Sequence, residues 1–167
     1  MYGQICWEGE LRAASTIARK LEIEHSVVWA DVSALGSGDL ANRPPSELAP
    51  ASEWWPYRNQ HLLTVASMWA LGKGVDRLLF GSVKSDAFHA DGRKSFFDTF
   101  NLLLKTQEGQ VEVEAPALEY TTKEYIDQFS VPIRILGWSH SCHVGEFACG
   151  NCRGCFKRME VLASLAS

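Results

Sequence analysis

The sequence predicts an α/β fold with a parallel sheet, closed at its C-terminal end by a small cysteine-rich lobe. Three observations carry that expectation. Stretches with helical periodicity alternate with short apolar runs rich in β-branched residues, the pattern of βαβ units. The 167 residues suit one domain, and 46% hydrophobic and 22% charged residues are ordinary for a soluble globular chain. Four of the five cysteines fall between Cys142 and Cys155. No apolar run is long enough to span a bilayer, and the N-terminus has neither an apolar h-region nor a cleavage site, which places the expected chain in the cytoplasm. The formal charge of −4 and pI near 5.7 argue against an electrostatic grip on nucleic acid, while leaving room for a nucleobase-sized ligand.

The first element is a helix from Glu8 to Leu21, with Leu11, Ala14, Ile17, Ala18 and Leu21 on one face. Ser26 to Ala30 (SVVWA) reads as a short buried strand. Asp31 and Ser33 after it are either turn residues or site residues. Gly36 to Trp55 has two glycines, three prolines and no helical period, so it is a loop. Its length makes it a candidate lid or binding loop. Gly36-Ser37-Gly38-Asp39 is not a Walker A loop, because the G-x4-G-K-[ST] pattern is absent.

Pro56-Tyr57-Arg58-Asn59 leads into a helix carrying Leu62, Leu63, Ala66, Trp69 and Ala70 on one face and closed by Gly72 and Gly74. Arg77 to Val83 (RLLFGSV) reads as the next buried strand. The polar segment Lys84 to Lys94 follows directly, with Asp86, His89, Asp91 and Arg93. Ligands of open parallel sheets bind just beyond the carboxyl ends of strands, so this segment is a candidate site. Ser95 to Glu108 is a helix with Phe96, Phe97, Phe100, Leu103 and Leu104 facing the core. Val111 to Glu114 alternates as a strand that Pro116 ends. Thr121-x-x-Glu124 is a capping box opening a helix that turns Tyr125, Ile126 and Phe129 inward. Ile133 to Trp138 reads as a last extended piece, and Phe156 to Leu165 as a final helix.

The cysteines are spaced C-x2-C-x2-C at Cys149, Cys152 and Cys155, with Cys142 upstream. Two-residue gaps let tight turns aim successive thiolates at one point, and four sulfurs complete a structural Zn²⁺ with no position left open for catalysis. Gly145, Gly150 and Gly154 fall where a chain wrapping an ion needs unusual backbone freedom. Arg153, Lys157 and Arg158 are placed to offset the charge of minus two that four thiolates leave on Zn²⁺. An iron–sulfur cluster also takes four thiolates, but the ferredoxin run places its fourth cysteine after three residues and before a proline. Here that position is Met159. Disulfides are a further alternative, suited to an oxidising compartment. Cys6 reads as a small apolar residue at an element boundary.

These residues together resemble the 7-cyano-7-deazaguanine synthases of queuosine biosynthesis, members of the PP-loop ATP pyrophosphatase group, nearly end to end. Tyr2-Gly3-Gln4 with Glu10-Leu11 is similar to the family's Y-G-Q-x-H…E-L. Asp31-x-Ser33-x-Leu35 is similar to D-x-S-x-L, and Pro56-Tyr57-Arg58-Asn59 to P-x-R-N. Gly81 with Asp86 and Asp91-x-Arg93 resembles a diverged G-x-N-x-x-D-Y-x-G-Y-P-D-C-R. Thr122-Lys123-Glu124 is loosely similar to T-K-x-E. Trp138-Ser139 before Cys142, then Cys149, Cys152 and Cys155, resemble W-S-C…C-x-x-C-x-x-C.

The resemblance implies a three-layer parallel sheet of the Rossmann-like adenine nucleotide alpha hydrolase type, N-terminally truncated, because the family's S-G-G-x-D-S phosphate loop is not among these residues. It implies an α/β domain over 1–135 and a zinc-binding lobe of the same domain over 136–167. The implied activity is an ATP-dependent ligase that converts 7-carboxy-7-deazaguanine and ammonia into the nitrile through adenylated intermediates. Its metal ligands are Cys142, Cys149, Cys152 and Cys155; its cofactors are structural Zn²⁺ and, with the missing loop supplied, ATP with Mg²⁺. Arg58, Asn59, Asp86, His89, Asp91, Arg93 and Lys123 are the expected substrate residues, since Arg forks onto carboxylate or phosphate and Asn and Asp pair with a purine-like edge. The expected partners are a deazapurine or nucleobase substrate and either a second copy or an N-terminal partner chain, not a membrane or nucleic acid. The stretch Lys84 to Asp91 lacks the family's asparagine, which leaves open a paralogue acting on another base. A zinc-stabilised, non-catalytic binding module, in a defence or DNA-modification cluster, is the competing function. A nucleic-acid-binding finger is disfavoured because no basic recognition helix follows the cysteines.

Overall fold

A computed structural model describes residues 1–165. They form two compact units, one of Met1–Pro56 with residues 129–165 and one of Tyr57–Gln128. Among the described residues, no helix is long and apolar enough to cross a membrane.

The Tyr57–Gln128 unit carries the sheet. Helix α2 (Arg58–Gly72) buries Leu63, Ser67 and Ala70. It ends in a Schellman turn: Val75 N–H donates to Ala70 O at 2.9 Å and Gly74 N–H to Leu71 O at 3.2 Å, with Gly74 at φ 69°. Strand β1 (Arg77–Leu79) pairs in parallel with β2 (Glu112–Glu114), Leu78 opposite Val113. Helix α3 (Lys94–Leu104) lies between them in sequence, the expected crossover. Leu63, Phe97, Phe100 and Val113 form the core, with Leu78, Phe80 and Leu104 packed against it. Leu63 is only 1% exposed, and Leu63→Ala is expected to cost about 2–5 kcal/mol, read as a lower midpoint in chemical denaturation.

The parallel α/β topology agrees with the sequence, but the strands are shorter and less covered than expected. β1 stops at Leu79 rather than Val83, because Gly81 interrupts the run and β2 offers only three partners before Pro116. Phe80 N–H adds one more bond, to Glu114 O. Leu79 is 66% exposed, so β1 is not the doubly buried strand its composition suggested. On the same outer face Arg77 forks onto the Glu114 carboxylate at 2.5 and 2.7 Å, and that bond holds the carboxyl below its usual range.

Asn101, on α3, closes the outer edge of β2. Its Nδ2 donates to Val113 O and its Oδ1 accepts Val113 N–H, both at 2.8 Å. The side chain thereby satisfies both backbone groups of a buried residue, as a neighbouring strand would. Asn101→Ala leaves both unsatisfied, at an expected cost of about 1–3 kcal/mol for each group, measured by denaturant titration. Helix α4 (Thr122–Gln128) opens with the expected capping box, Thr121 N–H to Glu124 Oε2 at 2.7 Å and Glu124 N–H to Thr121 Oγ1 at 3.2 Å. Ile126 is buried, but Phe129, expected inward, is exposed, as is Leu103 on α3.

In the other unit, α1 (Trp7–Lys20) carries Glu8 and Glu10 in its first turn and Arg19 and Lys20 in its last, complementing the helix dipole. The motif residues around it are structural. The buried Gln4 side chain accepts Tyr2 N–H and donates to Glu10 Oε2 at 2.6 Å, while the Asp31 carboxylate accepts Ser33 N–H at 2.7 Å. Residues 26–32 form no regular strand; Ala30 N–H donates to Met1 O and Val32 N–H to Tyr2 O. They are not the buried strand expected, since two partner residues make too short a ladder and Trp29 stays 61% exposed, edge-on to Trp7.

The 36–55 loop has no α-helix or strand, as expected, but it is tied down. Leu40 and Trp55 are buried, Ile5 N–H donates to Leu40 O, and Asp39 N–H donates to Ser52 O. The expected extended piece at Ile133–Trp138 is instead α5 (Ile133–Leu136). Ile133 and Ile135 favour a strand by propensity, yet Pro132 supplies a preset φ just before the first helical residue. Arg158 then donates to the Leu136 and Gly137 carbonyls that end the helix. Helix α6 (Arg153–Leu165) starts three residues earlier than the periodicity indicated.

Candidate functional site

The four cysteines converge. The Sγ atoms of Cys142, Cys149, Cys152 and Cys155 all lie within 4.8 Å of one another. A tetrahedron with metal–sulfur bonds of about 2.3 Å has edges of about 3.8 Å, and Cys149 and Cys155 are 3.9 Å apart. That spacing fits one ion. A cluster, whose thiolates bind different irons, spreads its sulfurs more widely. All five cysteines are free thiols, so the disulfide alternative is not what the chain adopts.

The local fold prepares the sulfurs for negative charge. Asn151 N–H points at Cys149 Sγ at 3.4 Å, His143 N–H at Cys152 Sγ at 3.4 Å, and Cys155 N–H at Cys152 Sγ at 3.5 Å. The Asn151 N–H bond brings the Cys149 thiol down to about 7, whereas burial pushes Cys155 up to about 11. Cys155 lies in the first turn of α6, where burial outweighs the helix N–H groups that favour a thiolate.

Two glycines make the geometry possible. Gly150 has φ 71°, and Gly154 is packed so closely that a Cβ there would overlap the Ser141 carbonyl oxygen. Gly145, also expected to need special freedom, has neither a positive φ nor a tight neighbour. His140 Nε2 donates to Cys142 O at 3.1 Å and fixes the first ligand's turn. Two of the three basic residues expected to offset the thiolates bond to other groups: Arg153 pairs with Glu53 at 3.1 Å, and Arg158 donates to α5 and Ser139. Cys6 stands outside the centre at the start of α1. It is fully buried and donates to Glu10 Oε1 at 3.3 Å, and burial with the Glu10 charge pushes its thiol far up.

The expected substrate residues all fall in the Tyr57–Gln128 unit. Arg58 and Asn59 begin α2, and Asn59 is joined to Asp91, its Nδ2 donating to Asp91 O at 3.0 Å. Asp86 folds the turn after β1, its carboxylate accepting Val83 N–H at 3.0 Å and its carbonyl accepting His89 N–H. His89 stands edge-on to Phe88. Arg93 Nε donates to Ala87 O at 3.0 Å, drawing the end of the segment back onto its start. Asn59, Asp86, His89, Asp91 and Arg93 thus belong to one network of turns past the C-terminal end of β1. Lys123, on α4, pairs with Asp127 at 2.7 Å.

Sequence reasoning missed the N–H donors to sulfur and the Glu53–Arg153 pair. The C-x2-C spacing contained a signal for the first. Nothing local marks the second, which joins residues 100 positions apart.

Fold and site define the class: a parallel α/β protein that also carries a four-thiol centre able to hold a metal. The family model described as "Queuosine biosynthesis protein QueC" matches residues 1–166, and the chain belongs to that family. It is 28% identical over 182 residues to the 7-cyano-7-deazaguanine synthase of Chlorobaculum parvum, covering 98% of this chain and 78% of the relative. It is 28% identical to the protein of that name from Methanobrevibacter smithii, covering 94% and 77%. With the one from Chlorobium phaeobacteroides strain DSM 266 the identity is 31%, covering 95% and 76%.

Proposed function

We propose that the protein is the ATP-dependent synthase that converts 7-carboxy-7-deazaguanine and ammonia into 7-cyano-7-deazaguanine. The observation that carries this reading is the family match over residues 1–166, together with relatives named for that product. The network past β1 supports it, because ligands of parallel sheets bind there. A carboxylate is a poor electrophile; adenylation gives it a leaving group that ammonia can displace, and a second activation of the amide permits dehydration to the nitrile. Arg58 and Arg93 have the chemistry to fork onto the substrate carboxylate or the nucleotide phosphates, and Asn59, Asp86, His89 and Asp91 to read the base edge. Lys123 offsets phosphate charge.

Zinc is the metal assigned to Cys142, Cys149, Cys152 and Cys155, where it holds the chain together and takes no part in the reaction. ATP with Mg²⁺ is assigned to the chain in company with an S-G-G-x-D-S loop, a stretch not found in the 167 residues. The three-layer sheet and a cytoplasmic location belong to the same proposal.

The test is conversion of 7-carboxy-7-deazaguanine by the full gene product with ATP, Mg²⁺ and ammonia, followed by mass spectrometry. The nitrile is the expected product, with AMP released. Asp86→Asn and Arg93→Ala should each lower kcat/KM by about 10²-fold or more, the loss typical when a positioning or charge-stabilising group is removed. A zinc-loaded, folded protein that forms no product and consumes no ATP contradicts the proposal. Binding of the base without turnover would instead identify a non-catalytic paralogue, and turnover of a different base the paralogue that the diverged Lys84–Asp91 stretch leaves open.

A further inference from the structure

An ion pair joins the cysteine centre to the 36–55 loop. Arg153 lies between Cys152 and Cys155, so its backbone is set by the turn that aims those two thiols. Its Nη1 donates to Glu53 Oε1 at 3.1 Å. Glu53 is 8% exposed, and a desolvated carboxylate depends on its cation far more than a surface one does. Two residues on, Trp55 is buried edge-on to Tyr2 at 5.0 Å. Further into the loop, Ser52 Oγ donates to Asp39 Oδ2 at 2.6 Å and Asp39 N–H to Ser52 O at 2.8 Å, while Ile5 N–H donates to Leu40 O and Arg43 to Ala34 O.

We propose that the Glu53–Arg153 pair couples metal occupancy of the four cysteines to closure of the 36–55 loop. The coupling rests on the four-thiol centre holding a metal and is independent of the reaction catalysed. With the ion bound, the Cys152–Cys155 turn is rigid and presents the Arg153 guanidinium to Glu53. With the ion gone, the thiols no longer share a centre, the turn relaxes, and the anchor of the loop loosens with it. Linkage is reciprocal, so a variant that breaks the pair weakens metal binding as well as freeing the loop.

The experiment combines two readouts on the full chain. Zn²⁺ affinity is measured by competition with a chromogenic chelator. Loop closure is measured by cleavage with a glutamate-specific protease at the exposed Glu47, followed by mass spectrometry. Glu53→Gln and Arg153→Met should each still take up one zinc, bind it at least about fivefold more weakly, and be cut at Glu47 at least about fivefold faster than wild type. Glu8 and Glu10 of α1 should remain uncut, and the double variant should be no worse than either single one. Zinc-loaded variants with wild-type affinity and wild-type cleavage overturn the coupling, as do single effects that add in the double variant. A wild-type chain that takes up no zinc overturns the metal centre itself, a distinct result.

Discussion

Cys152→Ser is expected to abolish stoichiometric metal binding and to unfold the unit that contains the cysteines. Cys152 is buried and its sulfur accepts two backbone N–H groups, from His143 and Cys155, so it fixes both the upstream and the downstream turn. Structural zinc contributes about 10–16 kcal/mol in small four-ligand sites, more than the whole stability of an ordinary domain. Losing one of four thiolates forfeits much of that and leaves three thiols, two of them buried, short of a complete ligand set. The measurement is zinc content by elemental analysis with far-UV circular dichroism. Retention of one zinc per chain with an unchanged melting curve contradicts the four-ligand assignment. Cys6→Ser, outside the centre, should leave the zinc content unchanged.

Gly154→Ala is the second large effect, and its origin is steric. The new Cβ would overlap the Ser141 carbonyl and come 2.7 Å from His143 Nε2, so the segment bearing Cys142 must move away from α6. That displacement separates Cys142 from Cys155. A cost of about 4 kcal/mol or more is expected, in the exceptional range for one substitution, because the strain falls on backbone rather than on a flexible side chain. Loss of zinc affinity and a lowered melting temperature should appear together. Gly145→Ala, where the nearest atom to a new Cβ is 3.8 Å away, is the control and should do neither.

The helices α1 and α3 were legible because amphipathic periodicity is local, α2 because its apolar run is closed by Gly72 and Gly74, and the capping box at Thr121 and Glu124 because its two partners are three residues apart. The cysteine centre was legible for the same reason: the turns that aim Cys149, Cys152 and Cys155 are written in their spacing. The strands were harder to read. SVVWA has strand composition, but a strand exists only where another pairs with it, and Ala30 and Val32 bond the chain's first two residues, Met1 and Tyr2. Ile133 and Ile135 pointed to extended chain, whereas the helix there is ended by Arg158, more than twenty residues away in sequence from Ile135. The two least visible features are side-chain devices. Asn101 completes β2 as a strand would, and Glu53 reaches Arg153. Each depends on which elements meet, and no local pattern encodes that.

For the expected substrate residues, the structure adds the wiring of the segment, which no local pattern in the sequence spells out. Asn59 and Asp91 hold each other, and Arg93 draws the turn closed through Ala87 O. In the proposed function these bonds keep the segment in shape for a ligand.

The account stands most directly on the four sulfurs sharing one ion. X-ray absorption at the zinc edge, on the purified full chain loaded with one equivalent of Zn²⁺, counts the ligands and measures their distance. The expected result is four sulfurs at about 2.3 Å with no nitrogen or oxygen in the first shell. Three sulfurs with a histidine or water, or zinc that washes off without a defined shell, contradicts it.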